Sequence, residues 1–262
     1  MYFPEIEKTL KHFGRVAQNY RQIRITDPEP VEVITTWVKK IGLKLVDAGC
    51  GTGRYTELLI RKLKPKVCYC LDATAEMIEK AKECLTPLAR QTELNFLESL
   101  ARAMPIANSS LDLVTTFNAI HHFVLPEFLE EAARVLKPGG FLCIYSRTPQ
   151  QNRRTIWGKY FPLFGQKENR LLPESQLSQM ISGIPQLRLY DSRKFIFPRS
   201  SSLEQLKGFA LKHCYSTFSL YSPKDFEICL DQFIKKLSAR YPDPNRIEYT
   251  AENTLYIVQK SC

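Results

Sequence analysis

A glycine-rich turn at residues 47–53 constrains the fold of this chain more than any other feature. The turn reads DAGCGTG, follows a short apolar run and precedes a helical pattern. Glycine carries no Cβ, so it adopts positive φ and lets a ligand approach the backbone closely. The sequence therefore predicts a ligand site where a strand passes into a helix.

Short apolar runs and helical patterns alternate from residue 43 to residue 146. The runs that predict strands cover residues 43–48, 67–71, 94–97, 111–117 and 141–146. This alternation is typical of βαβ units, which build a parallel sheet covered by helices. The expected fold is α/β, and its first strand leads directly into the glycine turn.

The spacing of the glycines distinguishes this turn from that of dinucleotide-binding proteins. Those proteins place the third glycine one position later, where this chain has Arg54, and bind a pyrophosphate at the helix N-terminus. Asp47 would repel phosphate, but it would accept hydrogen bonds from a ligand ammonium group. Asp72, nineteen residues beyond Gly53, stands where an acidic residue receives the hydroxyls of a ribose. These residues predict a nucleoside that carries an amino acid.

Four segments, taken in order, resemble the motifs of class I, Rossmann-like methyltransferases that use S-adenosylmethionine. The segments are VDAGCGTG at 46–53, LDATAEM at 71–77, SLDLV at 110–114 and RVLKPGG at 134–140. More narrowly, they are similar to the group of the quinone-biosynthesis C-methyltransferases and trans-aconitate methyltransferase. The resemblance is strong over residues 10–146. It implies a three-layer α/β/α fold whose mostly parallel seven-stranded sheet has an antiparallel last strand, with helical cap elements.

The resemblance also implies an organisation of the whole chain as one methyltransferase domain, residues 1–262. Residues 1–40 would be helices over the cofactor, and residues 41–146 the cofactor-binding core. Residues 147–240 would form a cap over the substrate and contribute one core strand, at 187–197. Residues 241–262 would close the sheet with strands at 246–249 and 255–259.

The residues expected to bind S-adenosylmethionine follow from the matched positions. Ala73 and Met77 would flank the adenine, while Asn118 and Ala119 would meet the methionine part through the backbone. Arg24 would bind the cofactor's carboxylate, unless it lies on the outer face of an amphipathic helix. The expected cofactor-binding set is Tyr20, Arg24, Asp47, Gly49, Gly51, Gly53, Asp72, Ala73, Met77, Ala101, Arg102, Asn118 and Ala119.

Two positions bear on catalysis. His122 follows the fourth predicted strand and is the candidate catalytic residue, with a packing or capping role as the alternative. A base is needed only where the acceptor loses a proton during attack. Leu100 stands where relatives usually have an aspartate that hydrogen-bonds the adenine amino group. It therefore supports the hypothesis of a catalytically silent cofactor-binding or interaction protein.

The segment after Ser146 bears on the methyl acceptor. It combines aromatic and basic residues: Arg153, Arg154, Trp157, Tyr160, Phe161 and Phe164. This composition favours a small-molecule acceptor that is apolar or anionic. Aromatic and cationic residues together also stack nucleic-acid bases, so an RNA methyltransferase is the alternative enzyme.

The composition sets the remaining expectations. The net charge is +10, and most of the basic excess lies after Ser146. The eight cysteines form no CxxC pair and no cluster with histidine at zinc-ligand spacing, so we expect reduced thiols and no metal site. No apolar run approaches the roughly 18 residues of a membrane span. We expect a cytoplasmic protein that is a monomer or a dimer.

Overall fold

Strands and helices alternate along most of the chain in the computed structural model. It describes the backbone of residues 4–261 and the side chains of residue 7 and residues 9–261; the first three residues of the predicted N-terminal helical segment lie outside this range. The strands are β1 Lys44–Ala48, β2 Val67–Asp72, β3 Glu93–Glu98, β4 Leu111–Phe117, β5 Leu136–Ser146, β6 Leu187–Ser201 and β7 Ile247–Lys260.

The helices fall into three regions: N-terminal, between the strands of the sheet, and after β5. They are α1 Pro4–Val16, α2 Tyr20–Ile23, α3 Glu29–Trp37, α4 Arg54–Leu63, α5 Ala75–Leu85, α6 Leu125–Val135, α7 Pro149–Arg154, α8 Ile156–Tyr160, α9 Phe164–Lys167, α10 Glu174–Ser182, α11 Leu203–Leu211 and α12 Pro223–Arg240. Among the described helices, none combines the length and the apolar character that crossing a membrane requires.

One seven-stranded sheet organises the fold, with the order β3-β2-β1-β4-β5-β7-β6. Neighbouring strands from β3 to β5 run parallel, and β7 runs antiparallel to both β5 and β6. The sheet confirms the expected α/β class and the antiparallel last strand. Because β1 lies between β2 and β4, the chain leaves its carboxyl end with neighbours on both sides.

Helices cover both faces of the sheet because strand residues point alternately to opposite sides. Val46 lies in an apolar core with helices α6 and α10, whereas its neighbour Leu45 lies in a second core with α3, α4 and α5. Both residues are fully buried. The resulting layers are those of a three-layer α/β/α fold.

The end of the chain differs from the prediction, which was wrong in placing two separate strands at 246–249 and 255–259. Strand β7 is continuous because β6 pairs with it from Ile247 to Lys260. Strand β5 pairs only with the second part of β7, up to Thr254. Residues 195–201 and 247–253 therefore form a two-stranded arm, which extends past the carboxyl end of β5.

The cap has an apolar core of its own, built by α8, α9, α11 and α12. Trp157 stacks on Phe233 with 5.0 Å between ring centroids, and Phe161 and Phe218 pack edge to face beside them. All four side chains are buried. The arm connects to this lobe, where the N–H of Leu203 donates to the carbonyl of Pro244 at 2.7 Å.

Helix α1 contacts the cap through a buried histidine. His12 is 2% exposed, and its Nδ1 lies 2.7 Å from the hydroxyl of Ser219. Burial, with smaller contributions from the nearby His213 and Arg15, lowers the pKa of His12 to about 4. His12 is therefore neutral in the folded protein at neutral pH.

We expect the free energy of unfolding to fall as the pH falls below 6.5. The unfolded chain then binds a proton at His12 that the folded protein does not take up until about pH 4. This site alone should lower stability by about 2 kcal/mol between pH 7.5 and pH 5. Urea unfolding of the wild type and of His12→Gln at these pH values measures the effect. A variant whose stability falls as steeply as that of the wild type would contradict the assignment.

Candidate functional site

A cleft opens at the carboxyl ends of β1, β2 and β4. Its volume is about 1040 Å³, counting its open mouth. From the expected set, the cleft is lined by Tyr20, Asp47, Gly49, Gly51, Asp72, Ala73, Met77, Ala101, Arg102, Asn118 and Ala119, with His122 beside them. The structure therefore brings together residues from both sides of β1. Arg24 and Gly53 are the two members of the set that do not line the cleft.

The three glycines of the turn all have positive φ, but only two face the cleft. Gly49 has φ +71°, and a Cβ built there would come within 2.6 Å of the Cβ of Ala119. A Cβ on Gly51 would meet only Tyr20 and Met77, at 3.8 and 3.9 Å. A Cβ on Gly53 would instead lie 2.7 Å from Cδ1 of Leu85 in α5. Gly53 therefore allows helix packing rather than contact with a ligand.

Asp72 is held at the edge of the cleft by backbone donors. Its Oδ2 accepts from the N–H of Gly51 at 2.8 Å, and its Oδ1 accepts from the N–H of Thr74 at 3.0 Å. A carboxylate oxygen has a second lone pair, so both oxygens can also accept from a ligand. Burial raises the pKa of Asp72 although these bonds oppose the shift.

Asp47 lies beneath the glycine turn and is 1% exposed. Its Oδ2 accepts from the hydroxyl of Thr56 at 2.6 Å, and its Oδ1 accepts from that of Thr115 at 3.0 Å. Burial raises the pKa of Asp47 to about 7. A cation in the cleft would stabilise the ionised form of this carboxylate, so Asp47 suits a positively charged ligand.

The positions of two arginines near the turn differ from those expected from the sequence. Arg24, expected at the cofactor's carboxylate, instead lies outside the cleft, with its guanidinium 4.4 Å from the ring centroid of Tyr215. Arg54 lines the cleft and was missed by the sequence analysis. It donates to the carbonyl of Ile25 at 2.9 Å and to the hydroxyl of Thr26 at 2.6 Å. A cation in the first turn of a helix is disfavoured by the helix dipole. The presence of Arg54 there could have indicated that its side chain serves tertiary structure.

The part of the cleft wall that comes from residues 73–77 and 100–101 is largely apolar. Ala73, Met77, Leu100 and Ala101 line it, and Met77 and Ala101 are buried. Arg102 lies at its edge, where Nη1 donates to Glu127 at 2.9 Å. Side chains of this kind can pack against a flat ring.

The end of β4 is conformationally unusual. Asn118 has φ +54°, and its N–H donates to the carbonyl of Tyr145 at 2.7 Å. Its Oδ1 accepts from Nδ2 of Asn253 in the arm at 3.0 Å. The N–H of Asn118 is thus used within the fold, so any backbone contact of Asn118 with the methionine part would be made by its carbonyl. A strained residue at such a place marks a candidate functional site.

His122 lies between the cleft and a second cavity. Its ring packs edge to face on Phe13, with centroids 5.1 Å apart, and its Nδ1 lies 3.5 Å from Nη1 of Arg170. Burial lowers the pKa of His122 well below its ordinary value, and His121 and Arg170 add to the shift. The imidazole is therefore neutral at physiological pH.

Two further cavities continue from the cleft. The inner cavity, of about 500 Å³, shares Phe13, Tyr20, Asn118 and His122 with the cleft. The arm cavity, of about 670 Å³, shares Arg24, Asn118, Arg147, Cys214 and Tyr215 with the inner cavity. Their walls come from the N-terminal segment, the arm and the cap. The three spaces are therefore adjacent and share parts of their walls.

The aromatic residues after Ser146 serve mainly inside the cap. Trp157, Phe161 and Phe164 are 4%, 2% and 1% exposed. Arg154 pairs with Glu252 of the arm at 2.5 Å. These rings are part of an apolar core and present no stacking surface to solvent.

Known proteins match the region of the chain that forms the cleft. Residues 46–144 match a family described as a methyltransferase domain. A malonyl-[acyl-carrier protein] O-methyltransferase of Pectobacterium atrosepticum is 27% identical over 202 residues, or 75% of this chain and 76% of that protein. A demethylmenaquinone methyltransferase of Lactococcus lactis is 37% identical over 114 residues, or 41% of this chain and 44% of that protein. The chain thus spans less than half the length of this second relative.

Solved structures show the same fold at low sequence identity. An S-adenosylmethionine-dependent methyltransferase of Aquifex aeolicus has TM-score 0.54 and 21% identity, covering 71% of this chain and 92% of its own. A geranyl diphosphate C-methyltransferase of Streptomyces coelicolor, solved with S-adenosyl-L-homocysteine, has TM-score 0.55 and 14% identity, covering 88% and 78%. The [4+2]-cyclase SpnF has TM-score 0.59 and 15% identity, covering 89% and 81%. The fold alone therefore does not name the reaction.

We expect Gly49→Ala to weaken the binding of S-adenosylhomocysteine at least tenfold. The new Cβ would clash with Ala119 and displace the wall of the cleft. Gly139→Ala is the matched control, because Gly139 has φ +76° but nothing within 4 Å of the added Cβ. Both variants should lose about 1 kcal/mol of stability from the left-handed backbone. Titration calorimetry should find a reduced affinity only for Gly49→Ala, and equal affinities would contradict the geometry.

Proposed function

Because the chain belongs to the class I methyltransferases that use S-adenosylmethionine, we propose that it methylates a small molecule bound in the inner and arm cavities. The observation that carries this proposal is that the cleft and the inner cavity are adjacent and share wall residues. His122 and Asn118 line both the cleft and the inner cavity, so a cofactor and an acceptor can meet there. The acceptor would be enclosed by the cap rather than bound on an open surface.

When bound, S-adenosylmethionine supplies an activated methyl group on its sulfonium. We propose that Asp72 accepts from the ribose hydroxyls and that Gly49 and Gly51 admit the cofactor to the backbone. The apolar wall around Met77 would hold the adenine. Tyr20 and the buried charge of Asp47 would lie at the methionine end. We do not include Arg24 and Gly53 among the proposed cofactor-binding residues, because neither lines the cleft.

His122 remains the proposed catalytic residue. A neutral imidazole can accept a hydrogen bond from an acceptor hydroxyl and orient its oxygen. Burial above all disfavours a charged imidazolium, so complete transfer of the acceptor's proton to His122 would be costly here. We therefore propose that His122 contributes chiefly by aligning the acceptor.

A small-molecule acceptor is preferred to RNA because of where the aromatic residues lie. Of the four rings that would stack on bases, Trp157, Phe161 and Phe164 are buried in the cap core, and Tyr160 is partly buried against it. Relatives named for demethylmenaquinone and malonyl-[acyl-carrier protein] support a small acceptor group. An RNA strand would need an exposed platform at the mouth of the cleft.

The hypothesis of a catalytically silent protein rests on Leu100, which lines the cleft. We expect Leu100→Asp to bind S-adenosylhomocysteine about fivefold more tightly, since one added hydrogen bond contributes about 1 kcal/mol. Leu100→Ala removes the same apolar side chain without adding an acceptor and should not gain affinity. Calorimetry on both variants tests whether this position only tunes affinity. Equal affinities for the two variants would contradict the proposed place of the adenine.

Transfer of a labelled methyl group tests the proposed function. We expect purified protein to move label from S-adenosylmethionine into a deproteinised small-molecule extract and not into RNA. Label in RNA would support the alternative enzyme, and no label despite cofactor binding would support a silent protein. Asp72→Ala is the control: loss of bonds to a charged group should weaken S-adenosylhomocysteine binding at least tenfold. Unchanged binding by that variant would overturn the proposed cofactor site.

A further inference from the structure

We propose that the methyl acceptor is an organic anion whose carboxylate or phosphate is bound by Arg24 and Arg147 where the inner and arm cavities join. The inference rests on the proposed function and names the substrate class of that site. Both arginines line both cavities, and neither lines the cleft. The anionic group would therefore anchor the acceptor, while a different atom would face His122.

Three separate segments bring the two guanidiniums together. Arg24 follows α2, Arg147 follows β5, and Tyr215 comes from the cap between α11 and α12. The guanidinium carbons lie 4.4 Å and 5.2 Å from the ring centroid of Tyr215. The side chains of Arg24 and Arg147 thus converge on the same ring, although their positions are far apart along the chain.

Other arginines around these cavities already have carboxylate partners. Arg170 pairs with Glu168 at 2.5 Å, and Arg199 pairs with Asp27. Each of these pairs neutralises its own charge. Both arginines therefore serve the fold and leave no positive charge for a ligand.

Within the described part of the chain, Arg24 and Arg147 are bound only by neutral acceptors. Arg24 donates to the carbonyl of Cys214 at 3.3 Å, and Arg147 donates to Oδ1 of Asn253 at 3.2 Å. Nε of Arg24 and Nη1 of Arg147 are buried without a hydrogen-bond partner. Among the side chains of residue 7 and residues 9–261, no carboxylate forms an ion pair with either. Buried cations are costly unless an anion completes them, and a bound acceptor would do so.

The pKa of Tyr215 indicates the electrostatic potential near the two arginines. Burial raises the pKa of Tyr215, but Arg147 and Arg24 outweigh burial, and the net shift is downward. A field that favours a phenolate would favour a carboxylate or phosphate at the same place. It would disfavour a cationic acceptor.

The remaining walls indicate the rest of the acceptor. Trp157, Phe197, Phe209 and Tyr249 line the arm cavity with aromatic rings. An apolar part of the acceptor can pack on them. The expected substrate is therefore an amphiphilic anion with an apolar body, and a reactive atom directed through the inner cavity.

The test fractionates the small-molecule extract by anion exchange before it meets the protein and labelled S-adenosylmethionine. We expect label to enter the anionic pool, in a product that still binds the exchanger because the anchoring group is not methylated. Label confined to the non-anionic pool would overturn this inference and leave the proposed function intact. No label in either pool would overturn the proposed function itself.

Variants connect the result to the two arginines. Arg147→Gln and Arg24→Gln should lower the rate of label incorporation at least tenfold while the affinity for S-adenosylhomocysteine stays unchanged, which also shows that they fold. Arg147→Lys should retain part of the rate because it keeps the charge. Arg153→Gln removes an exposed cation of the cap and should retain the full rate. If Arg147→Gln and Arg24→Gln weaken S-adenosylhomocysteine binding, the arginines serve the cofactor and the inference is wrong.

Discussion

The position of β1 in the sheet is the constraint on which the rest of the structure depends. Strands β2 and β3 lie on one side of β1, and β4 and β5 lie on the other. The connections that leave the carboxyl ends of β1 and β4 therefore pass to opposite faces, and a gap opens between them. The glycine turn, Asp72 and Asn118 all stand at this gap. Each functional element is placed by strand order before any side chain contributes.

The cleft and the neighbouring cavities differ in the charged side chains that line them, although Arg54 and Arg102 add positive charge to the cleft. The cleft contains the carboxylates of Asp47 and Asp72, whose burial raises both pKa values. The inner and arm cavities contain the guanidiniums of Arg24 and Arg147, while their carboxylates, Glu168 and Asp27, pair with Arg170 and Arg199. A cationic cofactor and an anionic acceptor would each enter the region that complements it. Electrostatics would then keep the two ligands from exchanging places.

The sequence predicted what depends on neighbouring residues and missed what depends on tertiary contacts. The glycine turn and Asp72 lie within one βαβ unit, so their spacing alone indicated a nucleoside site. Arg24 could not be placed, because its location depends on Tyr215, which is far away in the chain. The continuity of β7 depends in the same way on its pairing with β6. The cytoplasmic location and the oligomeric state stay predictions.

The arm makes the shape of the acceptor site depend on strand register. Along β6, residues that face the cavity alternate with residues that face outward. Phe197 and Arg199 line the arm cavity, whereas the adjacent Ile196 is 64% exposed. The same alternation places Tyr249 and Asn253 of β7 on the inner side. A slip of one residue between β6 and β7 would turn one strand's aromatic and polar set outward. An insertion in this arm would therefore change which acceptor fits while leaving the cofactor cleft as it is.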